Sequence, residues 1–279
     1  EYGKVQERGI RCCYHGWHFD VDGTILDTPG EPDGSPIAKR LCHGAYPTHE
    51  YEGIVFAYLG PAEKKPDFPI YDLFVRPGKR LVAAKVHSPC NWLQIRENEM
   101  DPVHITFLHT RLFGAQFQPV YGALPTMEWL ETPAGMMYVT VRRWGEFLYL
   151  RSNDMILPNI ARVAGIEDGE GETVFDRRGG TTNWVVPVDD TNSLTIGWDD
   201  VEEHLPSDGR NGYMDRMTRA GKNFIGPFDV GQTGEPTYEQ RQRAPGDWDA
   251  WVSQGPVARH GWENLGETDQ AIAAYDRAL

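Results

Sequence analysis

The chain has 279 residues, 40% of them hydrophobic and 11% aromatic, which is material for one large domain or two ordinary ones. Its 27 basic and 41 acidic residues give a net charge of −14. That balance argues against a nucleic-acid footprint or an anionic membrane surface, both of which call for a basic face. No apolar run approaches the roughly 20 residues of a membrane span. The opening stretch "EYGKVQERGIRCC" has no apolar core of a signal peptide. The four cysteines, Cys12, Cys13, Cys42 and Cys90, form no secreted disulfide framework, so the expected setting is reducing and cytoplasmic.

In chain order, residues 8–59 read as β-structure. "GIRCC" is a short strand, and "HFDVDGTIL" alternates and turns at Asp22-Gly23, a hairpin signal. "PGEPDGSPIAKR" (29–40) is a Pro/Gly-rich loop and "EGIVFAYLG" (52–60) a short apolar strand. Residues 61–69, with three prolines and mixed charge, read as a linker or domain edge. "KRLVAAKVHSP" is a strand. Residues 90–110 have helical character that Pro102 must break or restart. "MEWLETPAGMMYVTVRRWGEFLYLRSNDMILP" gives several antiparallel strands, and "TTNWVVPVDDTNSLTIGWDD" two more around Asp189-Asp190-Thr191-Asn192. Residues 208–279 read as helices and loops. The class is α+β: a small β domain over 1–62, then a domain over 63–279 with a central antiparallel sheet flanked by helices.

Two clusters carry chemistry. "RCCYHGW" holds Cys12 and His15 in a Gly-containing loop; alone, Cys-x-x-His is as readily a buried small residue beside a core histidine as a metal site. "ENEMDPVHITFLH" places Glu97, Asn98, Asp101, His104 and His109 within thirteen residues. Two imidazoles and a carboxylate make the facial triad that holds non-haem Fe(II) and leaves positions open for O2. In a straight α-helix, at ~100° per residue, positions five apart point about 140° away from each other. His104 and His109 therefore converge only where the helix is interrupted; otherwise they are two unrelated histidines.

Together, Cys-x2-His-Gly-Trp followed by Asn-x2-Asp-x2-His-x4-His resembles the oxygenase subunit of Rieske non-haem iron aromatic-ring-hydroxylating oxygenases, in the phthalate-dioxygenase-like branch built from one subunit type. The resemblance runs from "RCCYHGWHFDVDG" to "GPVARHGWENLGETDQAI". It implies that Cys12 and His15 are half the ligands of a [2Fe–2S] cluster, whose imidazoles raise its potential. Gly16 then lets the loop approach the cluster, with Trp17 packed beneath. Cys13 stands where the family has Pro and is a bystander thiol. The upstream Cys-x-His is absent, as only eleven residues precede Cys12, so the chain resembles a fragment lacking the front of its Rieske domain. Cys42 and His43 are a remote substitute, because adjacent residues rarely converge on one metal.

The family also supplies a distant carboxylate to iron. Asp189 and Asp190 lie in a turn, where Asp usually bonds its own backbone. Alignment on Gly255-Pro256 instead favours Asp247, just after Pro245-Gly246; Asp249 would face away. Further implications are a mononuclear Fe(II) held by His104, His109 and Asp247, Asn98 in the surrounding shell, and electrons from NAD(P)H through a partner reductase or ferredoxin. The reaction implied is O2-dependent hydroxylation or dihydroxylation of an aromatic or related organic substrate. Asp101 is implied to bridge His15 of one subunit and His104 of the next in a homotrimer, against a plain capping role before Pro102. Pocket walls are expected from Phe107, Leu108, Phe113, Trp184 and Val186, and Arg142 or Arg143 could meet a substrate carboxylate, although surface or salt-bridge roles suit them better. Two alternatives remain: an inactive ligand-binding relic, and a zinc hydrolase using the same His/His/Asp set.

Overall fold

The computed structural model describes residues 2–75, 77–114, 117, 119–165, 180–202, 223–225 and 230–279. It divides into two compact units, Glu1–Ile70 and Tyr71–Leu279. None of its helices, among the described residues, is long and apolar enough to cross a membrane.

The first unit contains a four-stranded antiparallel sheet in sequential order: β1 (Lys4–Val5), β2 (Ile10–Arg11), β3 (His18–Phe19) and β4 (Ile25–Asp27). The β3–β4 turn is the Asp22-Gly23 signal. Asp22 accepts from the Thr24 N–H at 2.8 Å, Gly23 has φ +86°, and a Cβ at Gly23 would lie 1.8 Å from the His43 carbonyl. A separate hairpin pairs β5 (Thr48–Tyr51) with β6 (Ile54–Ala57). It turns through Glu52 and Gly53, both at positive φ, with the Glu50 carboxylate taking the Gly53 N–H at 2.9 Å. Residues 61–69 do not trail away. Phe68 stacks on His49 at 4.3 Å between ring centres and lies against Phe56 at 4.8 Å, which carries this unit on to Ile70. The Pro-rich loop ends in one helical turn, Ile37–Arg40.

The second unit is built on an eight-stranded sheet in the order β14-β7-β13-β12-β11-β10-β9-β8. Its strands are β7 (Lys79–Ser88), β8 (Thr126–Thr132), β9 (Gly135–Trp144), β10 (Phe147–Ile156), β11 (Ile160–Ala164), β12 (Gly180–Asp189), β13 (Asn192–Glu202) and β14 (Phe224–Ile225). All pairings are antiparallel. The strands β8 to β13 follow one another as a meander, and β7 closes against β13. The β7–β8 connection therefore spans from one side of the sheet to the other, and it carries both site histidines. Alternation on β9 buries Met136, Tyr138, Thr140 and Arg142 on one face.

The helix Trp92–Glu99 is fixed to this sheet by polar bonds as well as burial. Asn91 caps it, accepting from the Leu93 N–H at 3.0 Å. Fully buried Arg96 donates to Asn159 Oδ1 at 2.9 Å and to the Asn159 and Asn183 carbonyls at 3.1 Å, and it pairs with Glu99. Cys90, Ile95 and Val185 form one core cluster with Trp248 and Trp251 of a second helix, Asp247–Val252. The helix Gln270–Ala278 covers another, with Ala271 and Tyr275 on Met100, Met136, Tyr138, Met155 and Ala161. The α+β class expected from the sequence is the one observed. The strand β14 lies in the region read as helices and loops. Of that region, residues 208–222 and 226–229 lie outside the described residues.

Candidate metal centre

After Met100 and Pro102 the chain makes a short α-turn, His104–Thr106, which passes into a π-helical turn, Phe107–Arg111. The Leu112 N–H bonds the Phe107 carbonyl, five residues back, at 3.1 Å. This wider winding answers the spacing problem: it brings His109 round to the side His104 faces, with ring centres 5.4 Å apart. Local π-turns of this kind are uncommon and concentrate at functional sites.

Asp247 arrives from the other end of the chain as the first residue of the helix Asp247–Val252. Its Oδ1 lies 3.0 Å from His109 Nε2 and 3.4 Å from His104 Nε2, and the three donor atoms lie within 4.8 Å of one another. Donors on one ion with bonds of about 2.1 Å lie about 3.0–3.4 Å apart, so the two distances to Asp247 suit a single ion that His104, His109 and Asp247 would hold together. His109 and Asp247 are buried. Burial alone would raise the Asp247 carboxyl. The hydrogen bond and charge of His109, the charge of His104 and a bond from Gln232 outweigh it and hold the group below the ordinary carboxylate range.

Three details place Asp247. A Cβ on Gly246 would sit 2.1 Å from the Gly231 carbonyl, so only glycine lets the 230–232 turn close over the start of this helix. Asp249, two residues on, reaches back to the Gly246 N–H at 3.1 Å and pairs with Arg241 at 2.9 Å, away from the histidines. Buried Gln94, on the helix Trp92–Glu99, donates to the Trp251 carbonyl at 2.8 Å and accepts from the Ala258 N–H at 2.9 Å, so both helices share one anchor.

Asp101 has two partners. Its Oδ1 accepts from the Val103 N–H at 2.7 Å, and its Oδ2 lies 3.6 Å from His104 Nδ1, leaving Nε2 for Asp247. The capping contact is a hydrogen bond, whereas His104 Nδ1 is a buried atom with no hydrogen-bond partner among the described residues and has Asp101 only at ion-pair distance. Burial disfavours its charge, but His104 and the N–H groups of Val103 and His104 bring it below its ordinary value. The Asn98 carbonyl accepts from the Asp101 N–H at 3.1 Å, bracing that turn through backbone. Asp189 sits in the β12–β13 turn, accepting from Thr191 and Asn192, and the Asp190 carbonyl accepts from Asn91 at 2.9 Å.

Sequence reasoning missed Phe117, whose ring lies 4.5 Å from that of His109, and Gln232 beside Asp247. Neither has a local signature. Among the expected wall residues, Phe107 and Phe113 are partly exposed, and Trp184 packs on Trp198 at 5.4 Å. Arg142 is buried and donates to the Ala123 and Pro102 carbonyls with its side chain over Tyr121, which makes it part of the framework; Arg143 is exposed.

In the first unit the Cys12–Trp17 loop is closed by the Cys12 N–H to the Trp17 carbonyl at 2.8 Å and the Gly16 N–H to the Cys12 carbonyl at 3.1 Å, with Gly16 at φ +74°. Hydrogen bonds from the Tyr14 and His15 N–H groups lower the Cys12 thiol, which favours the thiolate that metals need. His15 and Cys13 are exposed, and the Trp17 ring lies 6.2 Å from that of Phe19. Cys12 and His15 lie on this one closed loop. Among the described residues no third Cys, His or carboxylate joins them, and Cys42 and His43 do not complete the set.

Residues 1–45 match the family model of the Rieske [2Fe-2S] domain, and residues 57–156 match the model described as LigXa C-terminal domain like. The oxygenase subunit of tert-butanol monooxygenase / tert-amyl alcohol desaturase from Aquincola tertiaricarbonis is 40% identical over 98% of this chain and 59% of its own length. The phthalate 4,5-dioxygenase oxygenase subunit of Pseudomonas putida is 30% identical over 100% of this chain and 68% of its own. The terminal oxygenase of carbazole 1,9a-dioxygenase from Nocardioides aromaticivorans IC177 shares the fold at TM-score 0.60 and 19% identity, over 99% of this chain and 80% of that one. The chain belongs to the oxygenase subunits of the Rieske non-haem iron oxygenases. It spans roughly three fifths to two thirds of the length of these curated relatives.

Proposed function

We propose that this chain is the catalytic part of the terminal oxygenase of a multicomponent system that hydroxylates or dihydroxylates an aromatic or related small organic substrate with O2. The observation that carries the reading is the meeting of His104, His109 and Asp247 within 4.8 Å in a chain of this family. Fe(II) held by these three residues would supply reductive activation of O2 beside the substrate. The protein's own residues do the rest. Asp247 presents a buried, ionised oxygen; Gln232 steadies it; Asp101 lies beside His104 Nδ1, opposite the Nε2 that faces Asp247; the Phe117 ring covers one side of His109. The first unit, which runs to Ile70 rather than to the boundary at 62 expected from the sequence, then corresponds to part of a Rieske domain and Tyr71–Leu279 to the catalytic domain, with Cys12 and His15 as cluster ligands.

Electrons come from NAD(P)H through a partner reductase or ferredoxin in the cytoplasm, a reading supported by relatives that are themselves named as oxygenase subunits. The active assembly is a homotrimer in which Asp101 bridges His104 to His15 of the next subunit. In its support, Asp101 keeps a partly exposed side chain beside His104. The test is iron analysis and turnover of the protein with its reductase under 18O2. Iron at the mononuclear site and label in the product are expected, both lost in His109→Ala. Zinc without a redox-active chromophore would favour a hydrolase, and no bound metal in folded protein a ligand-binding relic. Asp101→Asn should keep its iron and slow turnover by orders of magnitude; undiminished turnover, or full activity from a monomer, would remove the bridging role.

A further inference from the structure

A second donor cluster lies in the larger unit, on the helix that precedes the site histidines. Glu97, His260 and Glu263 each offer one ligand atom, all within 4.8 Å of one another. His260 Nε2 is 3.4 Å from Glu97 Oε1 and 3.9 Å from Glu263 Oε1. The local fold explains the meeting. His260 and Glu263 flank a single 3₁₀ turn, His260–Trp262, closed by the Glu263 N–H to the His260 carbonyl at 3.1 Å, and residues three apart in such a turn eclipse. That turn is held in register with the helix Trp92–Glu99 by Gln94, whose Oε1 takes the Ala258 N–H; Glu97 lies one turn further along the same helix.

An acidic cluster alone would carry little. The independent observation is Glu97 itself. Its side chain is only 10% exposed and points at His260, yet Oε1 is fully buried with no hydrogen-bond partner among the described residues. Asp276, on the helix Gln270–Ala278, has a second buried oxygen in the same condition, and its charge acts on Glu97. Buried acceptors of this kind are normally satisfied, and an orphaned one calls for a water, an ion or a proton.

We propose that Glu97, His260 and Glu263 form a second divalent-cation site, distinct from the His104–His109–Asp247 centre, that pins the 258–263 turn to the helix Trp92–Glu99. Two carboxylates and an imidazole are a donor set suited to Zn2+, Mn2+ or Fe2+ rather than to Ca2+ or Mg2+, which take oxygen alone. Burial, with the charges of Asp276 and Glu263, pushes the Glu97 carboxyl up to about 8, and a bound cation would oppose that rise by stabilising the carboxylate. The inference does not depend on the oxygenase reading, and its failure would leave that reading intact.

The experiment uses Zn2+ as the probe on the metal-stripped full chain, by equilibrium dialysis with elemental analysis and by thermal unfolding. His260→Ala and Glu263→Gln change side chains that are 43% and 29% exposed, so neither should threaten folding. Each should bind one Zn2+ fewer per chain than the wild type. Each should also lose a Zn2+-induced rise in Tm of about 4–5 °C, the shift expected at a hundredfold excess over Kd for a protein of this size. His109→Ala should lose a different equivalent and retain this rise. Equal stoichiometry and equal Tm shifts in wild type, His260→Ala and Glu263→Gln would overturn the proposal.

Discussion

The His104–His109–Asp247 and Glu97–His260–Glu263 clusters draw on one stretch of chain, the helix Trp92–Glu99 and the turn after it, yet they balance charge in opposite ways. In the first, one carboxylate faces two imidazoles, and Asp247 stays ionised even when buried. In the second, one imidazole faces two carboxylates with a third nearby, and burial, reinforced by the charges of Asp276 and Glu263, drives Glu97 toward its protonated form. The first cavity is therefore charged for a cation before any cation arrives. In the second, buried Glu97 tends to hold a proton that a bound cation would displace. Donor identity sets coordination chemistry, while the ratio of imidazole to carboxylate sets what the unliganded protein tolerates.

The comparison breaks most completely at Asp247. Asp247→Ala should abolish mononuclear iron and product formation, measured by metal analysis and turnover, while leaving the Glu97 cluster's Zn2+ equivalent in place. A change that strikes both clusters is Arg96→Met. It leaves Glu99 and the Asn159 and Asn183 carbonyls without their buried donor, and unfolding should show a loss of about 3–5 kcal/mol. Gly246→Ala should act on the first cluster alone. The new Cβ collides with the Gly231 carbonyl, so the turn bearing Gln232 must shift, at a cost of about 1–3 kcal/mol and with an iron affinity reduced about tenfold or more. Asp189→Ala should do least: it loosens an exposed hairpin turn, lowering Tm slightly with iron content unchanged. Iron loss in the Asp189 variant with retention in Asp247→Ala would exchange the two residues' roles.

The sequence by itself determined what rests on short-range pattern. The period-two alternation of β9, the Asp22-Gly23 turn and the strands on either side of Asp189 follow from local rules, since neighbouring side chains sample the same surface or the same bend. The paired motifs around Cys12 and His104 are legible too, because side chains that meet from one turn must keep a fixed spacing. Other features left no local trace. The Glu52-Gly53 hairpin lacks the usual Asn-Gly or Asp-Gly signal, and its positive φ values appear only once β5 and β6 pair. The π-turn that reconciles His104 with His109 is a departure from α-geometry that no helical period announces. Tertiary structure alone seats β7 against β13, stacks Phe117 on His109, brings Gln232 to Asp247 and sets His260 opposite Glu97, more than 160 residues apart. Such contacts are chosen by which faces of distant elements bury together, as Gln94 shows by bonding both the helix that carries Asp247 and the turn that carries His260. That choice is a property of the packed chain, and no window of neighbouring residues contains it.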